Sequence, residues 1–365
     1  MKTILIVCGT RPEIIKLAPV YLYLKKQAWA NVLWLHTGQH DEMSKKILAC
    51  FGITPDITLI REGTTLSEFS IGLRKQLDRV LEQSQYHMTI VQGDTESAFV
   101  GALSSFYQRI PVAHIEAGLR TYDLNRPFPE EGLRQMITRI TALNFAPTQG
   151  AGDALLREGI SPELIFLTGN TVIDAQKWIV DHHRIHTKLS SKKQILVTMH
   201  RRENWGNEIA QACHAIAHLS SSHEELEFLF PVHLNPTVKE QVFPILGKLT
   251  NVHLTEPLDY LEMQQALIDS WLVLTDSGGI QEEAPTFSVP VLVLRKETER
   301  PEAVNAGCAK IVGTEQSSII NAVEHLLQNP AAYKAMQSTQ NPFGDGKASE
   351  RISQTIHSYL QKNKG

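Results

Sequence analysis

At 365 residues the chain is too long for one ordinary core, and it is read as two domains of common size, each able to bury enough apolar surface to be stable. Its 35 basic and 39 acidic side chains leave a formal charge of −4, which lacks the electrostatic footprint of a nucleic-acid binder or of a protein held on an anionic membrane surface and points to a small-molecule partner. The four cysteines, Cys8, Cys50, Cys213 and Cys308, are scattered and form no Cys-x-x-Cys pair, so neither a disulfide framework nor a thiolate zinc site is indicated.

The opening "MKTILIVCGTRPE" carries a lysine and a short apolar run, but Arg11 and Glu13 cut that run short, so it reads as a first strand and not as a signal peptide. No later run approaches the roughly 20 apolar residues of a membrane span, and a soluble cytoplasmic protein is expected. Short runs rich in Val and Ile then alternate with longer amphipathic stretches. "ILIV" is followed by a helix through "IIKLAPVYLYLKK", "VLWLH" by a helix through "SKKILACFG", and "MTIVQ" by "SAFVGALSSFYQ" and then "VAHI" and "LNFAP". Continuous apolar runs are the mark of strands buried on both faces of a parallel sheet.

Polar residues gather where these strands end. Gly9, Arg11 and Lys16 follow the first strand, Pro12 stands near the first helical position, and two cations at a helix start suit an anion held jointly by amides and side chains. Asp94 follows "MTIVQ" at a glycine turn, Glu116 follows "VAHI", and Glu130, Glu131 and Arg134 follow the prolines of "RPFPEEGLR". Each carboxylate alone also reads as an N-cap or an acidic first turn; their recurrence at successive strand ends favours a site in which crowded acids divide into acid and base. His182 and His186 have metal-ligand spacing without a third ligand nearby, and a solvated helix end is the expected reading.

A polar stretch, "TKLSSKKQ", reads as a linker, after which a second alternating set begins with "ILVTM", "LEFLFPV", "VHL", "WLVLTD" and "PVLVL". His200, Arg201 and Arg202 end the first of these strands, His233 the second, and Arg300 lies beyond the last. A histidine beside arginines could supply a proton to a phosphate leaving group. In "LTDSGGIQEEAP", Ser277, Gly278 and Gly279 form a strand-to-helix turn whose amides suit a phosphate, while Glu282 and Glu283 stand one turn on, where a carboxylate can accept both hydroxyls of a ribose. The expected fold class is α/β, with two Rossmann-like doubly wound domains facing a central cleft. No GxGxxG follows the first strand, which argues against a nicotinamide cofactor, and no cofactor is expected.

The motifs "GTRPEIIK", "TGQH", "GDT", "EAGLRT", "PFPEE", "TGNTVIDA", "HRRENWG", "PVHLNP", "LTDSGGIQEEAP", "ERPEAVNAG" and "NPFGDGKASERI" together resemble those of the non-hydrolysing UDP-N-acetylglucosamine 2-epimerases, in that family's order and over almost the whole chain. The resemblance implies the glycosyltransferase-B architecture, with an N-terminal domain over 1–186, a C-terminal UDP-binding domain over 187–345, and a helix over 346–365 crossing back to the first. It implies UDP held by Arg11, Lys16, Ser277, Gly278, Gly279, Glu283 and Arg300, uracil bordered by Leu258 and Met263, and catalysis by Asp94, Glu116, Glu130 and His200. Gln39, His40, Arg201 and His233 are candidate regulatory residues. The implied reaction is reversible epimerisation at carbon 2 of UDP-N-acetylglucosamine through loss and return of UDP. A transferase of the same fold using a UDP-sugar donor, and an epimerase of a related UDP-acetamido sugar, are the alternatives. UDP-sugar and UDP are the expected partners, with no nucleic acid and no membrane, and a homodimer is implied. The chain departs from the family's commoner pattern at "VQGDTES" and "EEGLR", and at Met263, where many relatives carry an aromatic residue.

Overall fold

The computed structural model describes every residue except 40, 189, 201–205, 338–339 and 364–365, and gives no side-chain description for 41–43. The described chain divides into two compact units, 1–178 with 344–365, and 179–343. The division falls inside a helix, at Trp178, rather than in the polar stretch that follows. Trp178 packs its ring 5.2 Å from that of Phe51 in the first unit, while Ile185 and Lys188, a few residues on, line a cavity of the second.

The first unit runs β1 (Lys2–Cys8), α1 (Arg11–Leu24), β2 (Ala30–His36), α2 (Asp41–Cys50), β3 (Ile57–Thr58), α3 (Leu66–Gln83), β4 (Met88–Gln92), α4 (Glu96–Tyr107), β5 (Val112–Ile115), α5 (Glu130–Ile140), β6 (Leu143–Ala146), α6 (Gln149–Arg157), β7 (Ile165–Leu167) and α7 (Thr171–His183). Among the described residues its strands form one parallel sheet in the order β3-β2-β1-β4-β5-β6-β7. Both faces are covered, which explains the unbroken apolar strands. Leu5 and Val7 of β1 share a core cluster with Leu73 and Leu77 of α3 and Ala98 of α4. Ile4 and Ile6, pointing the other way along the strand, are equally buried.

The second unit runs β8 (Lys193–Thr198), α8 (Asn207–Ser222), β9 (Leu226–Pro231), α9 (Pro236–Leu246), β10 (Val252–Thr255), α10 (Tyr260–Asp269), β11 (Ser270–Thr275), α11 (Gly278–Glu283), β12 (Val291–Val293), α12 (Pro301–Asn305), β13 (Ala309–Ile311), α13 (Gln316–Gln328) and α14 (Pro330–Met336). Its described strands make a second parallel sheet, ordered β10-β9-β8-β11-β12-β13. Phe228 and Phe230 of β9 centre its core against Ile216 of α8, Val242 of α9 and Val323 of α13.

The last helix, α15 (Ala348–Lys362), belongs to the first unit, where it packs on α1. Its N-terminus is capped from α7, because the Asp174 carboxylate accepts the backbone N–H groups of Ala348 (3.2 Å) and Ser349 (2.8 Å). No helix among the described residues is long and apolar enough to cross a membrane.

Candidate functional site

In each sheet the strand order reverses once, at β1/β4 and at β8/β11. Ligands of doubly wound sheets bind outside the carboxyl ends of the strands at such a reversal, and the polar residues singled out in the sequence gather at these two places.

In the first unit, β1 ends at Gly9, where a Cβ would lie 1.9 Å from Thr37 Oγ1 and 2.5 Å from Ser97 Oγ, so only glycine lets the turns after β1, β2 and β4 meet. Thr37 and Ser97 share a hydroxyl hydrogen bond of 2.7 Å, and Gln39 Oε1 accepts from Ser97 Oγ at 2.5 Å. Gln39 is thus a brace for the start of α4. Glu13, in the first turn of α1, is 1% exposed and receives three donors: the backbone N–H groups of Gly9 (3.0 Å) and Thr10 (2.8 Å) and the hydroxyl of Thr95 (2.7 Å). Burial outweighs these donors and pushes its pKa up to about 7.

The carboxylates stand just beyond. Glu116 ends β5 in a left-handed conformation (φ 65°), and Gly93 ends β4 in another (φ 69°), with the Glu116 carboxylate 3.8 Å from where a Gly93 Cβ would be. Lys16 Nζ bonds one oxygen of Glu116 and Gln92 Nε2 bonds the other. Asp94 is paired with Arg134 of α5. Glu130 is the first residue of α5 and half-buried, following cis bonds at Arg126–Pro127 and Phe128–Pro129. Its neighbour Glu131 is fully buried and accepts the backbone N–H groups of Thr121 (3.0 Å) and Tyr122 (3.1 Å). Burial pushes the Glu131 carboxyl upward, but Gln135, those two amides and the Arg134 charge outweigh it and hold it below its usual range. Beneath the turn, buried His114 bonds the Gly93 carbonyl through Nε2 at 2.7 Å. Burial, with the charges of Arg120 and Arg134, lowers its pKa to about 4, so the ring is neutral and donates that bond. Arg11 opens α1 and is half-buried.

In the second unit β8 and β11 pair so that Thr198 stands opposite Thr275, with their hydroxyls 2.6 Å apart. The residues that follow are brought together as a result. Asp276 is fully buried and accepts the His200 N–H at 3.2 Å, with His200 Nδ1 3.4 Å from Oδ1 and the imidazole about half exposed. Ser277 is the N-cap of α11, and Gly278 and Gly279 are its first residues. Their amides occupy positions that have no acceptor within a helix, and a Cβ on Gly279 would come no nearer than 3.8 Å to Glu283 and Ser277, which leaves this turn open. Glu283 accepts from Gln264 Nε2 at 2.6 Å, and Arg300 is held by buried Glu282. Leu258 precedes α10 and borders a cavity of about 530 Å³, while Met263 lies in the second turn of that helix. His233 Nδ1 accepts the N–H of Asn235, the N-cap of α9, at 3.1 Å. His40 and Arg201 lie outside the described residues.

Residues 23–357 match the family model described as UDP-N-acetylglucosamine 2-epimerase. The chain belongs to that epimerase family. It is 42% identical to the UDP-N-acetylglucosamine 2-epimerase of Escherichia coli K12, over 97% of this chain and 98% of the relative. Among solved structures it is similar to the Neisseria meningitidis UDP-GlcNAc 2-epimerase bound to UDP-GlcNAc (40% identity, 100% of both chains, TM-score 0.88) and to the S. aureus MnaA–UDP co-structure (41% identity, 99% and 97% of the two chains, TM-score 0.87).

For this member of the epimerase family, sequence reasoning missed the residues that hold others in place. Glu13, Gln92, His114, Asp276 and Gln264 all act on a neighbour singled out in the sequence or on the loop that carries it, and Glu131 and Glu282, read there as candidate ligand-facing acids, turn out to do the same. A buried polar residue at the end of an apolar strand was the available signal for Gln92 and Asp276. The ion pair of Arg300 with Glu282 was hidden because it spans 18 residues of chain, while Glu299 and Glu302 stand beside Arg300 in the sequence.

Proposed function

We propose that the chain interconverts UDP-N-acetylglucosamine and UDP-N-acetylmannosamine without hydrolysing them. The observation that carries this reading is the full-length likeness to a relative solved with UDP-GlcNAc bound. The geometry supports it. Carbon 2 of the sugar bears a proton of low acidity, so departure of UDP has to run ahead and leave positive charge on the ring. The product of that elimination is a 2-acetamidoglucal, and return of UDP with a proton on the other face of carbon 2 gives the epimer.

Each half of that chemistry has residues suited to it. The open turn at Ser277, Gly278 and Gly279 offers amides to the diphosphate, Arg11, Lys16 and Arg300 add positive charge, and Glu283 suits the ribose hydroxyls. Leu258 and Met263 are assigned to the uracil. His200, steadied by Asp276, gives a proton to the departing phosphate. Asp94 and Glu116, held by Arg134 and Lys16, stabilise the cationic sugar, and Glu130 takes part in the proton transfers. Gln39, His40, Arg201 and His233 are assigned to binding of a second, regulatory substrate molecule.

The division of labour follows the same logic, with the sugar-handling carboxylates in the first unit, most of the UDP contacts in the second, and the C-terminal helix belonging to the first. We place the protein in the cytoplasm, a reading supported by its four free cysteines. A homodimer is supported by the exposed apolar residues Ile60, Leu66, Ile71, Phe106 and Tyr107 on and beside α3 and α4; a monomer by light scattering at micromolar concentration would contradict it. The test of the reaction is incubation with UDP-N-acetylglucosamine alone and separation of the products. UDP-N-acetylmannosamine at equilibrium with substrate is expected. Free N-acetylmannosamine, or no product until an acceptor is added, would replace this reading with a hydrolase or a transferase.

A further inference from the structure

Gln92 is the last residue of β4, a strand whose other members are Met88, Thr89, Ile90 and Val91, and it is only 3% exposed. A carboxamide at such a position costs free energy unless its hydrogen bonds are made, and an apolar side chain would serve the packing of β4 equally well. Its Nε2 is spent on Glu116, on the carboxylate oxygen opposite to the one bonded by Lys16. Gln92 pairs with Ile115 across the β4/β5 ladder, so the two residues that follow in each strand, Gly93 and Glu116, take up left-handed conformations side by side. The backbone at Glu116 is thereby fixed by the fold, yet the two terminal torsions of its side chain are not. Two donors from different elements, one from α1 and one from β4, fix the plane of the carboxylate.

We propose that Gln92 is a positioning residue for the reaction, setting the orientation of the Glu116 carboxylate toward the sugar ring. This deepens the reading of the previous subsection and rests on it. A carboxylate gripped through both oxygens is held in a fixed direction, and misplacement of a reacting group by about 1 Å can cost roughly 100-fold in rate. The lysine alone would not achieve this, because an ammonium on a flexible stem is a point charge that follows the carboxylate as it turns.

The test compares the full chain with Gln92→Leu and Gln92→His. Gln92→Leu is expected to lower kcat roughly 10- to 100-fold, with KM and the dissociation constant of UDP within about twofold of the parent and the thermal midpoint little changed. Gln92→His, whose ring N–H can still donate, is expected to recover part of the lost kcat. Unchanged kcat in Gln92→Leu would overturn the proposal, as would a parallel decline of kcat, UDP affinity and thermal midpoint, which is the signature of a purely structural role. A crystal structure of Gln92→Leu needs no turnover and separates failure of the proposal from failure of the functional reading. A Glu116 carboxylate rotated from its parental plane is expected, and one that keeps its place contradicts the proposal whatever reaction the chain performs.

Discussion

At the scale of single residues, the candidate carboxylates are less informative than the groups that hold them. Asp94 and Glu116 are each paired with a cation, and beneath them lie two buried titratable groups with opposite tendencies, His114 and Glu13. His114 normally titrates near 6.5 and burial lowers it to about 4, so the unfolded chain takes up a proton that the folded chain refuses, and stability falls as pH drops from 6.5 toward 4. Glu13 is raised by burial from 4.5 to about 7, so the folded chain keeps a proton that the unfolded chain releases, and stability falls as pH rises from 4.5 toward 7. Each effect amounts to about 3 kcal/mol at its limit, and between pH 4.5 and 6.5 the two slopes largely cancel. Single variants should expose them. Relative to the parent, Glu13→Gln is expected to gain stability as pH rises from 4.5 to 7, and His114→Gln as pH falls from 6.5 to 4, in denaturant unfolding. Curves running parallel to the parent would contradict both assignments.

At the scale of elements, unbroken apolar runs were legible in the sequence whatever their length, whereas α3, at 18 residues, was not read. "MTIVQ" and "VAHI" coincide with β4 and β5, because a strand buried on both faces needs an unbroken apolar run. β3, β7 and β13, of only two or three residues each, were not read, whereas β12, equally short, was marked by the apolar run "PVLVL" that contains it. The helix expected through His186 stops at His183, since Arg184 adopts φ 52° and the N–H of Ile185 turns back to the Val180 carbonyl at 3.0 Å. The strand-end positions of Asp94, Glu116, His200 and Ser277 followed from the α/β pattern alone. Their partners did not, because Arg134 reaches Asp94 and Gln92 reaches Glu116 across 40 and 24 residues of chain. The docking of α15 is another such contact, made by Asp174 in place of a capping side chain of the helix itself, which has none at Lys347. Asp174→Ala should therefore cost about 1–2 kcal/mol in denaturant unfolding of the intact chain. No loss of stability would show that packing on α1 suffices without the cap.

At the scale of the molecule, two parallel sheets carry different chemical endowments at their points of strand reversal. The first has acids held by cations, with Glu13 and His114 buried below them; the second has an open glycine turn, a histidine on a buried aspartate, and an arginine held by Glu282. A nucleotide sugar needs both sets, amides and positive charge for its diphosphate and carboxylates for a sugar that becomes cationic as the diphosphate leaves. The measurement that bears most directly on this account is proton NMR of the chain with UDP-N-acetylglucosamine in heavy water. The account predicts that deuterium enters carbon 2 of the sugar while UDP remains attached, as both epimers appear. Conversion with the carbon 2 proton retained, or no exchange when the nucleotide sugar is bound, would contradict it.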